Sequence, residues 1–186
     1  MKYVRTFSLA VALVAVGLTY GADVMSGPKV GSQMTPFQPV NILNADDAQC
    51  NGKENCLVCQ YGDKPVAMIF TRGTCDCPAT LALIKKLDAE VAKVGKDKMS
   101  AAIIYLSDDE TVKSKIGEMA KSQNITNVSL AQFNAKGPKG YNLSNDAGVT
   151  VVLYKGKTVL ANHAFDKICE KCVEKVVADL PKLASN

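Results

Sequence analysis

An α/β sandwich around one mixed sheet is the fold class this sequence predicts, and three observations predict it. From Pro65 onward, short apolar runs alternate with stretches of helical spacing. The order is strand, helix, strand, helix, strand, hairpin strand, helix. The early strand–helix–strand units need right-handed crossovers, which imply a parallel core. Late in the chain, two β-branched runs flank Lys155-Gly156-Lys157 and read as a hairpin that adds an antiparallel edge. The length, 186 residues, suits one domain with a substantial core.

The chain opens with Lys2 and Arg5, an apolar run over 7–18, and then Gly21 and Ala22. This pattern reads as a secretory signal peptide over residues 1–22. The run is short for a membrane span, which takes about 20 residues. No cysteine follows closely enough to suggest a lipoprotein. Loss of Lys2 and Arg5 with the leader lowers the net charge from +4 to +2. Such a charge leaves no footprint for nucleic acid or for an anionic membrane. The expected location is exported, periplasmic or secreted, with no membrane attachment after cleavage. No oligomeric state is implied.

Residues 23–33, rich in Gly, Ser and polar groups, read as a flexible lead-in to a domain over 34–184. Residues 36–43 (PFQPVNIL) read as an edge strand, where proline is tolerated. CLVCQ, residues 56–60, reads as a second short strand, so the two predict an N-terminal β-hairpin extension. Residues 65–71 (PVAMIFT) have the length of a buried strand. After Pro78, apolar residues recur at Leu81, Ile84, Leu87, Val91 and Val94, and Gly95 ends the helix. Residues 99–106 are again strand-like. Ser107 to Glu110 has the form of a capping box, with Val112, Ile116 and Met119 following at helical spacing. A short extended piece at 128–131 precedes a loop over 134–148. The hairpin is 149–154 with 158–164. Asp166 reads as the cap of a last helix carrying Ile168, Cys172, Val176 and Leu180, which ends near Pro181.

The chemistry is concentrated at Thr74-Cys75-Asp76-Cys77-Pro78. Proline is favoured at the first helical position, so Cys77 becomes the expected N-cap and Cys75 a loop residue just before it. A helix start favours the thiolate, the reactive form of cysteine. Arg72 adds to this effect and Asp76 opposes it. The plain alternative is a structural cysteine pair, or a cap that serine would serve equally well.

Seven cysteines are present: Cys50, Cys56, Cys59, Cys75, Cys77, Cys169 and Cys172. In an exported chain this number suggests disulfides, and an odd count leaves at least one thiol outside them. Cys56 and Cys59 are expected to form a structural disulfide. Cys169 and Cys172 are a candidate second dithiol, since a spacing of three puts both on one helix face; the plain alternative is a local disulfide with Cys172 in the core. The expected topology returns the hairpin towards the cysteine turn. It therefore predicts four cysteines, Cys75, Cys77, Cys169 and Cys172, gathered at one rim of the sheet with His163 near them. These five residues are also a candidate set for a soft metal such as Cu(I) or Zn(II), whose spacing Cys56 and Cys59 share. A single histidine excludes a multi-histidine site.

The order of elements, with cysteines after the first core strand at a Pro-bounded helix start, resembles the thioredoxin superfamily over about residues 30–183. Val30-Gly31 with Pro36-Phe37 looks like the entry of peroxiredoxin-like and exported thioredoxin-like members, and VTVVLYKGKTVL looks like their hairpin. CLVCQYG is similar to a Cys-x-x-Cys-x-Tyr/Phe-Gly segment of exported thioredoxin-like proteins abundant in planctomycete bacteria. Where thioredoxins carry Trp-Cys-x-x-Cys, this chain has no Trp and shows Cys75-Asp76-Cys77. Thr74 and Cys77 match the Thr-x-x-Cys half of the peroxiredoxin motif, with Phe70 at its proline position. Val149 holds the place of the thioredoxin cis-proline.

The resemblance implies a thioredoxin-like sandwich and a thiol–disulfide oxidoreductase or thiol peroxidase without a cofactor. With a protein-thiol partner Cys77 would attack that partner's disulfide, otherwise a peroxide, and Cys75 or a more distant cysteine would resolve. Two other functions stay open: a soft-metal carrier, and a non-catalytic, disulfide-stapled binding domain.

Overall fold

The computed structural model describes residues 24–73 and 77–184. The leader, and with it the signal-peptide reading, lies outside the described residues. So do Thr74, Cys75 and Asp76. The elements are β1 (Val40–Leu43), α1 (Leu57–Tyr61), β2 (Val66–Thr71), α2 (Pro78–Val94), β3 (Ser100–Leu106), α3 (Thr111–Ser122), β4 (Ser129–Phe133), β5 (Val149–Lys155), β6 (Thr158–Phe165) and α4 (Glu170–Asp179). One sheet runs β1-β4-β3-β2-β5-β6. β2, β3 and β4 are parallel, as crossovers through α2 and α3 require. β1, β5 and β6 join antiparallel. This is the thioredoxin-like α/β sandwich that the sequence predicts.

Side chains alternate between the two faces of a strand, and each face has its own cover. Ala67, Ile69, Ile103 and Val151 meet Leu83, Ile84, Leu87 and Val91 of α2, with Ile116 of α3 and Val173 and Val176 of α4. Met68, Phe70, Ile104 and Val152 meet Leu57, Val58 and Tyr61 of α1, together with Met34, Phe37 and Tyr141. Helices α2, α3 and α4 therefore share one face. The other is closed by α1, the N-terminal segment and the loop before β5.

The N-terminal hairpin differs from its prediction. Its return arm is the stretch 52–55, bonded to Pro39 and Asn41, and it stops before Cys56. CLVCQ is not a strand but α1, with Cys56 as N-cap. The reason is packing. Leu57, Val58 and Tyr61 are all buried against one core, which a helix permits and a strand, sending Leu57 and Val58 to opposite sides, does not.

Two helix starts also move. The last helix is capped by Cys169, not Asp166. α3 begins at Thr111, because the Asp109 carboxylate accepts the Thr111 N–H at 2.9 Å.

The segment read as a flexible lead-in is laid along the β6 edge. Val24 N–H donates to Ala164 O at 3.1 Å, Gly31 N–H to Val159 O at 2.8 Å, and Val159 N–H to Ser32 O at 2.9 Å. Ser26 and Thr150 share a buried hydroxyl bond of 2.7 Å. An edge strand presents unpaired backbone groups, and this strap satisfies them on β6. Gly27 is required there: its φ is 96°, and a Cβ would stand 2.7 Å from the Asn162 amide.

Candidate active site

The site forms where β2, β5 and β6 end together. Register places Thr71 opposite Val149 and Val149 opposite Phe165. Beyond this row, Arg72 N–H donates to Gly148 O at 2.9 Å. Val149, read as the residue in the cis-proline position, pairs with Thr71, the last residue of β2.

Cys77 is the N-cap of α2, in extended conformation, with Pro78 in the first turn. Its carbonyl accepts the Leu81 N–H at 2.9 Å, while its side chain makes no capping bond. The thiol is half-buried at a helix N-terminus. Arg72 is turned away to the loop before β5, where Nη1 donates to the Ala135 carbonyl. Its buried Nη2 has no partner among the described residues.

Beside this turn lies an open cleft of about 840 Å³ between α2 and α3, over the C-terminal ends of β2 and β3. Thr71, Arg72 and Gly73 form one wall, and Leu81, Tyr105 and Met119 give it an apolar floor and side. Asp109, Lys115 and Glu118 stand among its polar lining. The N–H and then the hydroxyl of Thr111 hold the Asp109 carboxyl below its ordinary range. Spacing along the chain carries no sign of this cleft, since its walls come from four separate elements.

Cys56–Cys59 and Cys169–Cys172 are disulfides, with Cα separations of 5.2 and 5.0 Å. In each, the first sulfur caps its helix and accepts the N–H of the second cysteine at 3.2 Å. Cys56–Cys59 lies on α1, on the opposite face of the sheet from α2. Cys50 belongs to neither bond. Its thiol donates to Asp47 Oδ2 at 3.3 Å, and this bond, with some desolvation and the Asp47 charge, pushes its pKa up.

Cys169 follows Phe165 and so starts α4 at the same rim as Cys77. His163 is directed elsewhere. Its Nε2 meets Asp179 Oδ2 at 2.9 Å, at the far end of α4, and its ring lies parallel to Phe165. Along a helix rising ~1.5 Å per residue, that end is roughly 15 Å from Cys169. Among the described residues no group of three or more His, Cys, Asp or Glu is placed to hold a metal. Of the candidate metal set, Cys169 and Cys172 are bonded to each other, His163 is engaged by Asp179, and Cys75 lies outside the described residues.

No described helix is long and apolar enough to cross a membrane. No family model matches the chain, and no curated protein matches it. Solved structures do. A protein assigned as a thiol:disulfide interchange protein DsbE from Chlorobium tepidum superposes with a TM-score of 0.61 at 12% identity, covering 84% of this chain and 99% of that one. Peroxidoxin BcpB from Mycobacterium tuberculosis gives 0.57 at 18% identity, covering 84% and 99%. AhpC from the same organism gives 0.62 at 14% identity, covering 85% and 99%. These likenesses establish the fold, which is thioredoxin-like.

Proposed function

We propose that this thioredoxin-fold protein is an exported thiol–disulfide oxidoreductase that reacts through Cys77. The observation that carries the reading is Cys77 itself: a half-buried cysteine at the N-terminus of α2, one helical turn before Leu81, which lines an open cleft. Free N–H groups and the helix dipole stabilise a thiolate there. The thiolate attacks one sulfur of a substrate disulfide, a Cys77–substrate bond forms, and the electron pair leaves on the second substrate sulfur. The Cys75 thiol then loses its proton and attacks Cys77, the Cys77–substrate bond breaks, and the substrate leaves as a dithiol. Thr74 stands three residues before Cys77 in the sequence.

One of the solved likenesses carries a name from peroxide chemistry, and a thiol peroxidase is the neighbouring reading. The cleft favours the disulfide substrate. Its volume of about 840 Å³ and its lining by Leu81, Tyr105 and Met119 suit polypeptide side chains rather than a small peroxide.

Cys56–Cys59 plays a structural part in this reading. α1 has five residues, too few to be stable alone, and the disulfide closes it onto its cap. Export is supported by the leader pattern and by four cysteines held in disulfides, which persist in oxidising compartments.

The test is exchange with a peptide disulfide, comparing the mature chain with Cys77→Ser. The expected result is loss of exchange in the variant and a labelling midpoint for Cys77 below ~8.5, the ordinary thiol value. Equal exchange by both proteins rejects Cys77 as the nucleophile, and exchange by neither leaves a disulfide-stapled binding domain. Faster turnover of hydrogen peroxide than of the peptide selects the peroxidase instead.

A further inference from the structure

We propose that Cys169 and Cys172 form a second thiol–disulfide exchange site, which passes electron pairs to and from the Cys77 turn. The proposal rests on the reading above in naming Cys77 as its partner.

The two Cys-x-x-Cys segments share the capping bond from the second cysteine's N–H to the first sulfur but differ in what lies between the sulfurs. In the first, Leu57 and Val58 are fully buried, and Cys59 is the exposed cysteine. In the second, Glu170 and Lys171 face solvent, Cys169 is half-buried, and Cys172 is 4% exposed. A working dithiol needs one sulfur that a partner can reach and a second that it cannot. Attack then falls on the reachable sulfur, and the shielded one resolves. Cys169–Cys172 has that asymmetry and Cys56–Cys59 lacks it.

The surroundings also sort the two sulfurs once the bond opens. Cys169 Sγ accepts the Cys172 N–H at the helix start, which favours a thiolate. Cys172 Sγ is 3.8 Å from the Lys167 carbonyl oxygen, which accepts an S–H and favours the thiol.

The fold brings this pair to the Cys77 turn. Thr71, Val149 and Phe165 form one row across three strands. Beyond it, Arg72 bonds Gly148, and Gly148 abuts the backbone of Asp166. From this row the chain enters α2 through Cys77 and α4 through Cys169, and the two helices pack together on the same sheet face.

The step is an ordinary exchange. The Cys77 thiolate attacks Cys169 Sγ, the Cys77–Cys169 bond forms, and the Cys169–Cys172 bond breaks. The electron pair leaves on Cys172, which takes a proton from water. A second thiol, from Cys75 or from the substrate, loses its proton to solvent, attacks Cys77 and frees Cys169 as thiolate. Two electrons have then moved from the Cys77 turn to the Cys169–Cys172 pair.

Two measurements test this on the mature chain. In glutathione buffers without denaturant, alkylation and peptide mapping should show Cys169 labelled at least tenfold more than Cys56. Opening of Cys169–Cys172 only after unfolding in urea overturns the proposal. In Cys172→Ser, diamide oxidation should yield a Cys77–Cys169 bond. Its absence, with Cys77 still labelled at a low midpoint, overturns the transfer and leaves the proposed function standing. Its absence with an inert Cys77 removes both. The glutathione measurement uses the unaltered protein and so does not depend on the variant folding.

Discussion

The carbonyl oxygen of Asp166 stands against Gly148, too close to leave room for a Cβ there. This contact closes the rim row: it sets the chain leaving β6 against the chain entering β5, one residue beyond the pairing of Phe165 with Val149. A side chain there must push the start of the Cys169 segment away from the Cys77 turn. Gly148→Ala is expected to cost about 1–3 kcal/mol in urea unfolding, the usual range for overpacking. It should also slow formation of the Cys77–Cys169 bond. Unchanged stability would show that the two backbones part without cost.

Removal of residues 24–33 should cost more than removal of the leader. The strap bonds along β6 and covers its edge. A chain starting after Ala22 keeps every one of these bonds. A chain starting at Met34 exposes a strand edge and the Thr150 hydroxyl, and is expected to associate at high concentration. Ser26→Ala alone should cost about 1 kcal/mol, because it leaves the buried Thr150 hydroxyl without its 2.7 Å partner. Light scattering and denaturant midpoints of the three proteins check this.

Breaking Cys56–Cys59 should lower stability without changing the reactivity of Cys77. Closing so short a loop contributes about 2 kcal/mol. The double variant Cys56→Ser, Cys59→Ser is expected to lose that much, with peptide-disulfide exchange retained. Lost exchange in a folded variant would place the reactive pair on α1 instead.

Cys50 and Cys77 should label in opposite pH ranges. The Cys50 thiol donates to Asp47, so deprotonation breaks a bond and sets two anions side by side. Its iodoacetamide midpoint should lie above ~8.5 and return towards that value in Asp47→Asn. Cys77 should label below it. A Cys50 midpoint unmoved by Asp47→Asn would disconnect the thiol from that carboxylate.

Asp179 predicts an acid dependence. The Lys182 ammonium at 2.8 Å, and then the His163 ring at 2.9 Å, hold its carboxyl below the ordinary range. A depressed folded value means that the stabilisation is present above the unfolded value of ~3.9 and is lost as pH falls through the lower folded one. Asp179→Asn should therefore cost up to about 1 kcal/mol at neutral pH. The gap from the unaltered protein should close as the pH falls below ~3.9. A gap that persists at the lowest pH at which both remain folded assigns the loss to packing.

Much of this protein is determined by its local sequence. Apolar runs of strand length gave β2, β3 and β5 within a residue or so, because strands covered on both faces need continuous apolar stretches. Pro78 after Cys77 located the start of α2, since proline fits the first turn and little else nearby. Local pattern failed where the deciding partner was distant. CLVCQ is too short for its period to be read, and the core under Leu57 and Val58 made it a helix. Residues 24–33 carry no apolar period at all, and their order comes from backbone bonds to β6. His163 was placed by its strand, but a carboxylate on α4 turned its ring away from the cysteines. That β2 and β6 end on the same side of the sheet was foreseeable from topology alone, while the cleft of Leu81, Tyr105 and Met119 was not. Strand and helix reflect periods of two and 3.6 residues along the chain. What a side chain faces is set by pairings such as Thr71 with Val149, which join residues far apart in sequence and exist only once the sheet has closed.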